Sequence, residues 1–377
     1  MVRSAHGVRG RRSPSPTGAR PRAARRPTRI RGGLTVLVAA VTVLAACSPE
    51  APPPPPDVTV TPGIDAARTA PPEPVVPVTW PLTGVVTDAV ASRPAVAVKI
   101  ENTAQARPQS GLDSADVVWE TIVEFQVSRL VAVFHSQLPE EIGPIRSVRP
   151  MDMPIASPLR GLLAFSGGQS GILRLVYDSP LQPISHDAGA PGLYRVGRRS
   201  APHNVYGSLE EFLAQADGDH SAAPAQQFQF ALRPGLATAA LSGSPATTLA
   251  FRLSSVSRPS WTWDAGSGTW LRAERDGAAM AEGGGQLSAV NVVSITAVHR
   301  DSGFDAQNSA PVPTYVLEGQ GEGVLATGGK VVPVVWSKAG RDEPLVLTLA
   351  DGSPALLAPG NTWVELVPAG SGSLTIS

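Results

Sequence analysis

The sequence predicts an α+β fold with a mixed sheet, in which an N-terminal α/β domain with a partly parallel sheet precedes a mostly β C-terminal domain. In residues 80–220, apolar segments typical of buried strands alternate with segments typical of helices, and such alternation favours parallel strand pairs. Beyond residue 226, glycines and turn dipeptides separate short β-branched runs, a pattern typical of β structure. We therefore expect two domains, the first over 80–220 and the second over 226–377.

The start of the chain predicts an exported lipoprotein. Residues 1–33 contain ten arginines and no acidic residue, and the apolar run 34–46 ends directly before Cys47, the single cysteine. That run is shorter than the roughly 20 residues that span a bilayer, and small residues before a cysteine are typical of a lipobox. We expect a signal peptide over 1–46 and a palmitate-bearing Cys47 at the extracytoplasmic face of the cell membrane. A short membrane anchor that is never cleaved is the alternative.

Processing at Cys47 would change the charge of the protein. The full chain has 31 basic and 31 acidic residues, and removal of the ten leader arginines leaves 21 basic against 31 acidic, a net charge of about −10. A nucleic-acid partner is therefore not expected, since phosphate backbones require a basic face. The proline-rich segment 47–79 has too few apolar residues to bury a core and is predicted to be an extended tether.

The pattern also predicts individual elements. In the N-terminal part we expect strands over 95–100, 130–135 and 162–165, and helices over 115–124, 171–177 and 209–216. Ser114 and Ser208 stand at suitable N-cap positions, and Glu211 completes a capping box with Ser208. In the C-terminal part we expect strands over 249–253, 260–263, 269–272, 290–298, 314–317, 331–336, 345–349 and 363–367, with a hairpin over 261–270.

Four acidic residues are the first candidates for chemistry. On a helix over 115–124, the spacing of Asp113, Asp116, Glu120 and Glu124 would place them on one stripe. Such a stripe could be a solvated helix face, a site for a divalent metal, or a partner for the arginines that follow. The residue pattern leaves all three interpretations open.

The arginines carry the stronger signal. Arg146 and Arg149 lie in a loop that Gly143, Pro144 and Pro150 keep irregular, and Arg107 and Arg129 lie upstream. Guanidinium groups match carboxylates and phosphates bidentately. These arginines therefore either pair internally with Glu101, Glu120 or Glu124, or bind an anionic ligand, and the two roles can coexist.

Two further polar segments are candidates for a functional role. His203 in the segment 198–206 could act as a general base, although a loop histidine is more often a structural hydrogen-bonding residue. The junction 165–171 could hold an anion on backbone donors at a helix start. No nucleophile elbow, Walker loop, dinucleotide fingerprint or paired metal-ligand spacing is present, so no metal or cofactor is predicted.

The chain resembles the YerB-like bacterial lipoproteins, which consist of the N- and C-terminal parts of a domain of unknown function. The resembling segments are 81–84, 93–102, 106–112, 115–120, 142–150, 201–206, 335–338 and 359–363. They extend over nearly everything after the tether. The resemblance implies a lipid-anchored extracytoplasmic protein with no established activity.

We therefore expect a non-catalytic binding or assembly factor of the cell envelope. The predicted ligand is anionic, either a cell-wall component or an acidic segment of an envelope protein. Its predicted binding residues are Arg107, Arg129, Arg146, Arg149, Glu101 and Asn102. The alternative is a cell-wall or glycan hydrolase that uses Glu120 or Glu124 with His203, which requires two carboxyl groups roughly 5 to 10 Å apart. A third hypothesis is metal-dependent adhesion.

Overall fold

The structure, a computed structural model, describes residues 76–306 and 309–377. The predicted signal peptide over 1–46, Cys47 and nearly all of the tether over 47–79 lie outside the described residues. Strands account for 40% of the structure and helices for 13%. The protein is therefore built mainly from sheets, and helices only cover parts of them.

The N-terminal part contains seven strands and three short α-helices among the described residues. The strands are β1 (Val96–Glu101), β2 (Val117–Ile122), β3 (Ser128–Phe134), β4 (Leu162–Phe165), β5 (Gln182–Ser185), β6 (Leu193–Arg195) and β7 (Val205–Gly207). The helices are α1 (Asp152–Ala156), α2 (Ser170–Tyr177) and α3 (Leu209–Leu213). The predicted strands over 95–100, 130–135 and 162–165 and the helices over 171–177 and 209–216 are confirmed. Ser208 caps α3 by accepting from the amide of Glu211.

The described C-terminal part contains one short helix, α4 (Thr238–Ser242), and otherwise strands. These are β8 (Ser244–Pro245), β9 (Thr248–Arg252), β10 (Ser260–Asp264), β11 (Thr269–Glu274), β12 (Gly277–Ala278), β13 (Ser288–Ala289), β14 (Asn291–Asp305), β15 (Pro311–Val316), β16 (Gly319–Thr327), β17 (Lys330–Lys338), β18 (Val346–Thr348), β19 (Thr362–Pro368) and β20 (Ser373–Ile376). Every predicted C-terminal strand is present, and β8, β12, β13, β16 and β20 are additions.

The main sheet has the order β18-β17-β16-β14-β19-β2-β3-β1-β4-β5. Its pairs β1–β4, β4–β5, β2–β19 and β14–β19 are parallel, whereas β1–β3, β2–β3, β14–β16 and β16–β17 are antiparallel. A second sheet, β12-β11-β10-β9-β20, is antiparallel. The predicted fold class is confirmed. The two-domain division at 220–226 stays a prediction, and the pair β2–β19 joins strands from both sides of it.

The predicted helix over 115–124 is wrong, because this segment forms the central strand β2. All six residues of β2 are buried between β19 and β3. Val117, Val118, Thr121 and Ile122 are β-branched, and such residues pack well on a pleated, buried surface. The acidic residues Asp113, Asp116, Glu120 and Glu124 consequently form no helical stripe, and each has different surroundings.

Candidate functional site

Two clusters of charged side chains lie on opposite faces of β1, β2 and β3. Successive side chains of a strand point to opposite faces. Glu101 and Thr121 lie in register with Arg129 on one face. Asn102 and Glu120 belong to the other face, where Asn102 Nδ2 donates to Glu120 at 3.5 Å. The same three strands therefore support two different polar environments.

The first environment is an open depression of about 490 Å³, here named the arginine cleft. Its lining residues are Glu124, Arg129, Arg146, Ser147, Arg149, Gly167, Gly168, Gln169, Ile172, Asp187, Pro202, Ala306 and Val312. Gly167 and Gly168 follow β4, and Asp187 follows β5, so the cleft lies at the carboxyl ends of two parallel strands and beside the start of α2. Ligands of open α/β sheets bind at this edge.

Arg149 is paired within the cleft. Its Nε and Nη2 atoms contact the two carboxylate oxygens of Glu124, each at 2.8 Å, and Nη1 donates to the carbonyl of Val148 at 2.7 Å. The Arg149 amide donates to Asp152 Oδ2 at 2.7 Å. The bidentate pair fixes both side chains, so Arg149 and Glu124 form a rigid wall of the cleft.

Arg129 has a different environment. The residue is only 9% exposed, and the one described hydrogen bond of its side chain runs from Nη1 to the carbonyl of Ser147 at 3.0 Å. Among the described residues, no carboxylate forms an ion pair with it. Burial and the nearby charges of Arg149 and Arg146 lower the pKa of Arg129 to about 9. A buried guanidinium among other cations is a costly arrangement that an anion would relieve.

Arg146 reaches the cleft from the loop after Gly143-Pro144. Its Nε lies 3.4 Å from Glu101 Oε2, and Nη1 donates to the Pro202 carbonyl at 3.3 Å. The other oxygen of Glu101 contacts His203 Nδ1 at 2.8 Å. Glu101 therefore contacts both Arg146 and His203. The histidine thus helps to position the carboxylate that contacts Arg146.

Arg107 and Asn102 do not join the other predicted ligand-binding residues. They line a separate cavity of about 470 Å³ together with Glu274 and Asp276. Arg107 is paired there with Glu274 at 3.1 Å and Asp276 at 3.0 Å. The predicted set therefore divides, with Arg129, Arg146 and Arg149 in the arginine cleft, Glu101 behind it, and Arg107 and Asn102 elsewhere.

The second environment is the Arg272 cluster, formed by Arg272, Glu120, Glu274, Glu365, Asn102, Trp261 and Trp363. The guanidinium of Arg272 contacts Glu120 at 2.5 Å, Glu274 at 2.9 Å and Glu365 at 2.8 Å. Trp261 and Trp363 cover it, with the Trp363 ring centroid 4.4 Å from the guanidinium carbon. Arg272 is 1% exposed, so its guanidinium is closed to solvent, whereas Asn102 and Glu274 at one edge of the cluster also line the cavity that contains Arg107.

Three carboxylates around one guanidinium require a proton. Burial and the charge of Glu120 raise the pKa of Glu365 well above the usual value. Burial opposes ionisation of Glu120 as well, but Arg272 and hydrogen bonds from neighbouring side chains lower the pKa of Glu120. The two glutamates lie in register on the parallel strands β2 and β19. Burial and mutual repulsion therefore favour one proton on this pair, and the opposite directions of the two pKa shifts favour Glu365 as its site.

The three residues of the hydrolase alternative do not form one constellation. Glu120 is fully buried in the Arg272 cluster, Glu124 is held by Arg149, and His203 contacts Glu101. Each group therefore contacts a different partner, and Glu120 lies on the face of the sheet opposite Glu124 and Glu101. The combination of Glu124 with His203 as acid and base stays a prediction.

The pattern of charges in the sequence did not single out several residues that shape both sites. Lys99 and Asp152 form a fully buried ion pair of 2.6 Å beside the cleft, and burial lowers the pKa of Lys99 to about 8. Arg272 and Glu365 are the centre of the closed cluster. The sequence feature that could have identified such residues is a single charged residue inside a strand that is otherwise apolar or alternating. Lys99 in 95–100 and Glu365 in 363–367 are examples.

In the part of the chain that the structure describes, no group of three or more His, Cys, Asp or Glu side chains has a geometry able to hold a metal ion. No helix among these residues is long and apolar enough to cross a membrane.

Comparisons with known proteins match both parts of the chain. The N-terminal domain model of DUF3048, a protein family of unknown function, matches residues 82–222, and its C-terminal domain model matches 249–364. A relative from Bacillus subtilis strain 168, named "Putative lipoprotein YerB", is 27% identical over 294 residues, which are 76% of this chain and 86% of the relative. A crystal structure of the Bacillus subtilis YerB protein has a TM-score of 0.66 at 24% identity, covering 79% of this chain and 99% of that one, and so has the same fold. The chain therefore belongs to the DUF3048 family, as its resemblance to the YerB-like lipoproteins predicted.

Proposed function

We propose that this protein is a membrane-anchored lipoprotein that binds an anionic ligand in the arginine cleft. In this proposal it acts at the extracytoplasmic face of the cell membrane as a non-catalytic binding or assembly factor. The ligand belongs to the envelope, either as a cell-wall component or as an acidic segment of an envelope protein. Arg129, Arg146 and Arg149 hold it.

The anchoring part of the proposal is supported by the leader and by the relative. An arginine-rich start, a short apolar run and a single cysteine at its end have the order of a lipoprotein signal peptide. The Bacillus subtilis relative is named a lipoprotein. Lipid attachment at Cys47 and the proline-rich tether would hold the folded part near the membrane surface.

The observation that carries the binding proposal is the environment of Arg129. It is buried, it has no described carboxylate partner, and two other guanidinium groups line the same cleft. Internal pairing uses Glu124 for Arg149 and Glu101 for Arg146. Arg129 therefore lacks an ion-pair partner of its own in an open site, where Glu124 and Glu101 act on it only at longer range, and this arrangement is suited to an incoming anion.

Anchoring can be tested by metabolic labelling. Cells that express the full chain are grown with an alkyne analogue of palmitate, and the purified protein is examined for the label. Wild type should carry it, and Cys47→Ala should not. Labelling that persists in Cys47→Ala would contradict lipidation at this residue.

Anion binding can be tested by thermal unfolding of the full-length protein in detergent. The midpoint is measured against a panel of small anions at constant ionic strength, with chloride as the reference. A ligand that binds only the native state raises the midpoint, and Arg129→Gln should abolish that rise. If no carboxylate or phosphate in the panel stabilises wild type beyond chloride, the binding proposal is wrong.

A further inference from the structure

We propose that the group bound in the arginine cleft is a phosphoryl group, rather than a carboxylate. This inference depends on the proposed anion-binding function and specifies the chemistry of the ligand. It concerns the phosphate group alone, which a terminal phosphate monoester or a phosphodiester within a polymer could supply.

The first reason is the arrangement of the guanidinium groups. A planar carboxylate is satisfied by one bidentate fork, and Glu124 already occupies the fork of Arg149 in this way. The remaining guanidinium groups come from separate chain segments, Arg129 from β3 and Arg146 from the loop before α1. Donors that approach from different directions match the tetrahedral oxygens of a phosphoryl group better than a flat carboxylate.

The second reason is the supply of neutral donors in the same cleft. The hydroxyl of Ser147 has no hydrogen-bond partner among the described residues, and neither do the amides of Gly167 and Gly168. By contrast, the Ser166 amide donates to the Arg146 carbonyl at 3.0 Å, and the Gly171 amide donates to Gln169 Oε1 at 2.7 Å. Hydroxyls and glycine-rich backbone before a helix are common phosphate ligands.

The third reason is that glycine is required where the loop meets the arginines. Gly167 has a φ of +88°, and a Cβ atom there would lie 3.0 Å from Ser147 Oγ. A Cβ atom on Gly168 would lie 2.7 Å from Leu173 Cδ2. Side chains at these positions would strain the backbone or separate the loop from the arginine segment. The two glycines thus keep backbone donors close to Ser147 and the guanidinium groups.

The charges of the cleft fit a phosphoryl group of either kind. Arg146 and Arg149 are paired with Glu101 and Glu124, which leaves Arg129 without an ion-pair partner among the described residues, and Asp187, the third carboxylate of the cleft, contacts His186 at 3.2 Å. A phosphodiester carries one negative charge and a monoester up to two. We therefore expect both to bind, and their relative affinities report which source the cleft prefers.

The experiment is isothermal titration of the full-length protein in detergent with three probes at matched ionic strength. The probes are inorganic phosphate, dimethyl phosphate as a diester, and acetate as the carboxylate. At least one phosphate probe should bind ten or more times as tightly as acetate. Arg129→Lys, which keeps the charge but removes the fork, should weaken phosphate binding about tenfold, and Ser147→Ala should weaken it several-fold.

A control variant and a folding check accompany the titrations. Arg107→Gln removes an arginine outside the cleft and should leave phosphate affinity unchanged. Circular dichroism establishes whether each variant is folded, and Arg146→Lys replaces Arg129→Lys if the latter is not. If acetate binds as tightly as both phosphate probes, the phosphoryl inference is wrong, but the protein still binds anions. If the cleft variants bind phosphate like wild type, the phosphoryl inference is wrong because phosphate binds outside the arginine cleft. If no probe binds wild type, both the inference and the proposed function fail.

Discussion

The arginine cleft and the Arg272 cluster lie on opposite faces of the same three strands, yet they combine charges in different proportions. In the Arg272 cluster, three carboxylates and two indole rings surround one guanidinium that is 1% exposed. In the arginine cleft, three guanidinium groups lie with the carboxylates of Glu124, Glu101 and Asp187 around an open depression, and the guanidinium of Arg129 has no ion-pair partner among the described residues. Charge density alone therefore does not identify a binding site. The ratio of cations to anions and access to solvent distinguish structural ion clusters from sites with capacity for a ligand.

The strongest test of this comparison is removal of the central cation from the closed cluster. Arg272→Met leaves Glu120 and Glu365 buried without a cation and Glu274 with Arg107 alone, so we expect the free energy of unfolding to fall by about 3 to 5 kcal/mol. Urea denaturation followed by tryptophan fluorescence measures the loss. Arg107→Met, at the partly exposed edge of the same carboxylates, is the matched control and should cost less than about 1 kcal/mol. Equal losses in the two variants would contradict a closed structural role for Arg272.

The shared proton offers a second test within the same cluster. In the unfolded chain Glu365 has an ordinary glutamate pKa near 4.5, whereas in the folded protein its pKa is well above that value because of burial and the charge of Glu120. The folded state therefore binds the proton more tightly, and stability falls as pH rises from about 4.5 through the raised pKa. Glu365→Gln imitates the protonated acid and should lose this part of the pH dependence.

The measurement compares urea denaturation of wild type and Glu365→Gln from pH 5 to pH 9. The variant should become more stable relative to wild type as pH rises. Glu210→Gln, which removes an exposed carboxylate, is the control for general charge effects. A difference between Glu365→Gln and wild type that stays constant over this range would show that Glu365 does not hold the proton.

Much of the fold was predictable because short-range patterns determine it. β-branched runs over 95–100 and 130–135 and the Ser208 cap specify their own elements, whatever lies elsewhere in the chain. The strand β16 was missed because Gly319, Gly321 and Gly323 resemble a loop. A Cβ atom on Gly321 would lie 2.6 Å from Trp336 Nε1, and this indole donates to the carbonyl of Thr296 at 3.0 Å. Glycine in this strand permits a close tertiary contact that sequence patterns do not report.

The candidate site was predictable only in part, because residue spacing does not distinguish the two faces of a sheet. The separation of four between Glu120 and Glu124 fits one face of a helix and also one face of a strand, but β2 ends at Ile122 and the irregular turn that follows places Glu124 on the face opposite Glu120. The arginine loop was found because Arg146 and Arg149 are close in sequence. Arg272 was missed because its partners Glu120 and Glu365 are far away in the chain, and only the register of β2 and β19 brings those two together.

A third test asks whether an arginine of the open cleft behaves as the comparison predicts. Arg129→Gln removes a buried cation that the folded state disfavours, since burial and Arg149 and Arg146 lower its pKa to about 9. It also removes one hydrogen bond to the Ser147 carbonyl. These effects oppose each other, so the free energy of unfolding should stay within about 1 kcal/mol of wild type. Urea denaturation without added phosphate measures it, and a loss as large as that of Arg272→Met would make Arg129 structural.

The smallest effect is expected from an ion cluster that belongs to neither site. Arg198 contacts Glu141 and, at 2.8 Å, Glu282, but its side chain is 41% exposed and solvent screens these pairs. Arg198→Ala should therefore lower the free energy of unfolding by less than about 1 kcal/mol, including its contact with the Tyr206 ring. The loss should shrink in high salt, whereas the loss from Arg272→Met should not, because buried charges are screened far less. Urea denaturation of both variants in low and high salt measures this contrast, and equal salt dependence in the two would remove the distinction between exposed and closed ion clusters in this protein.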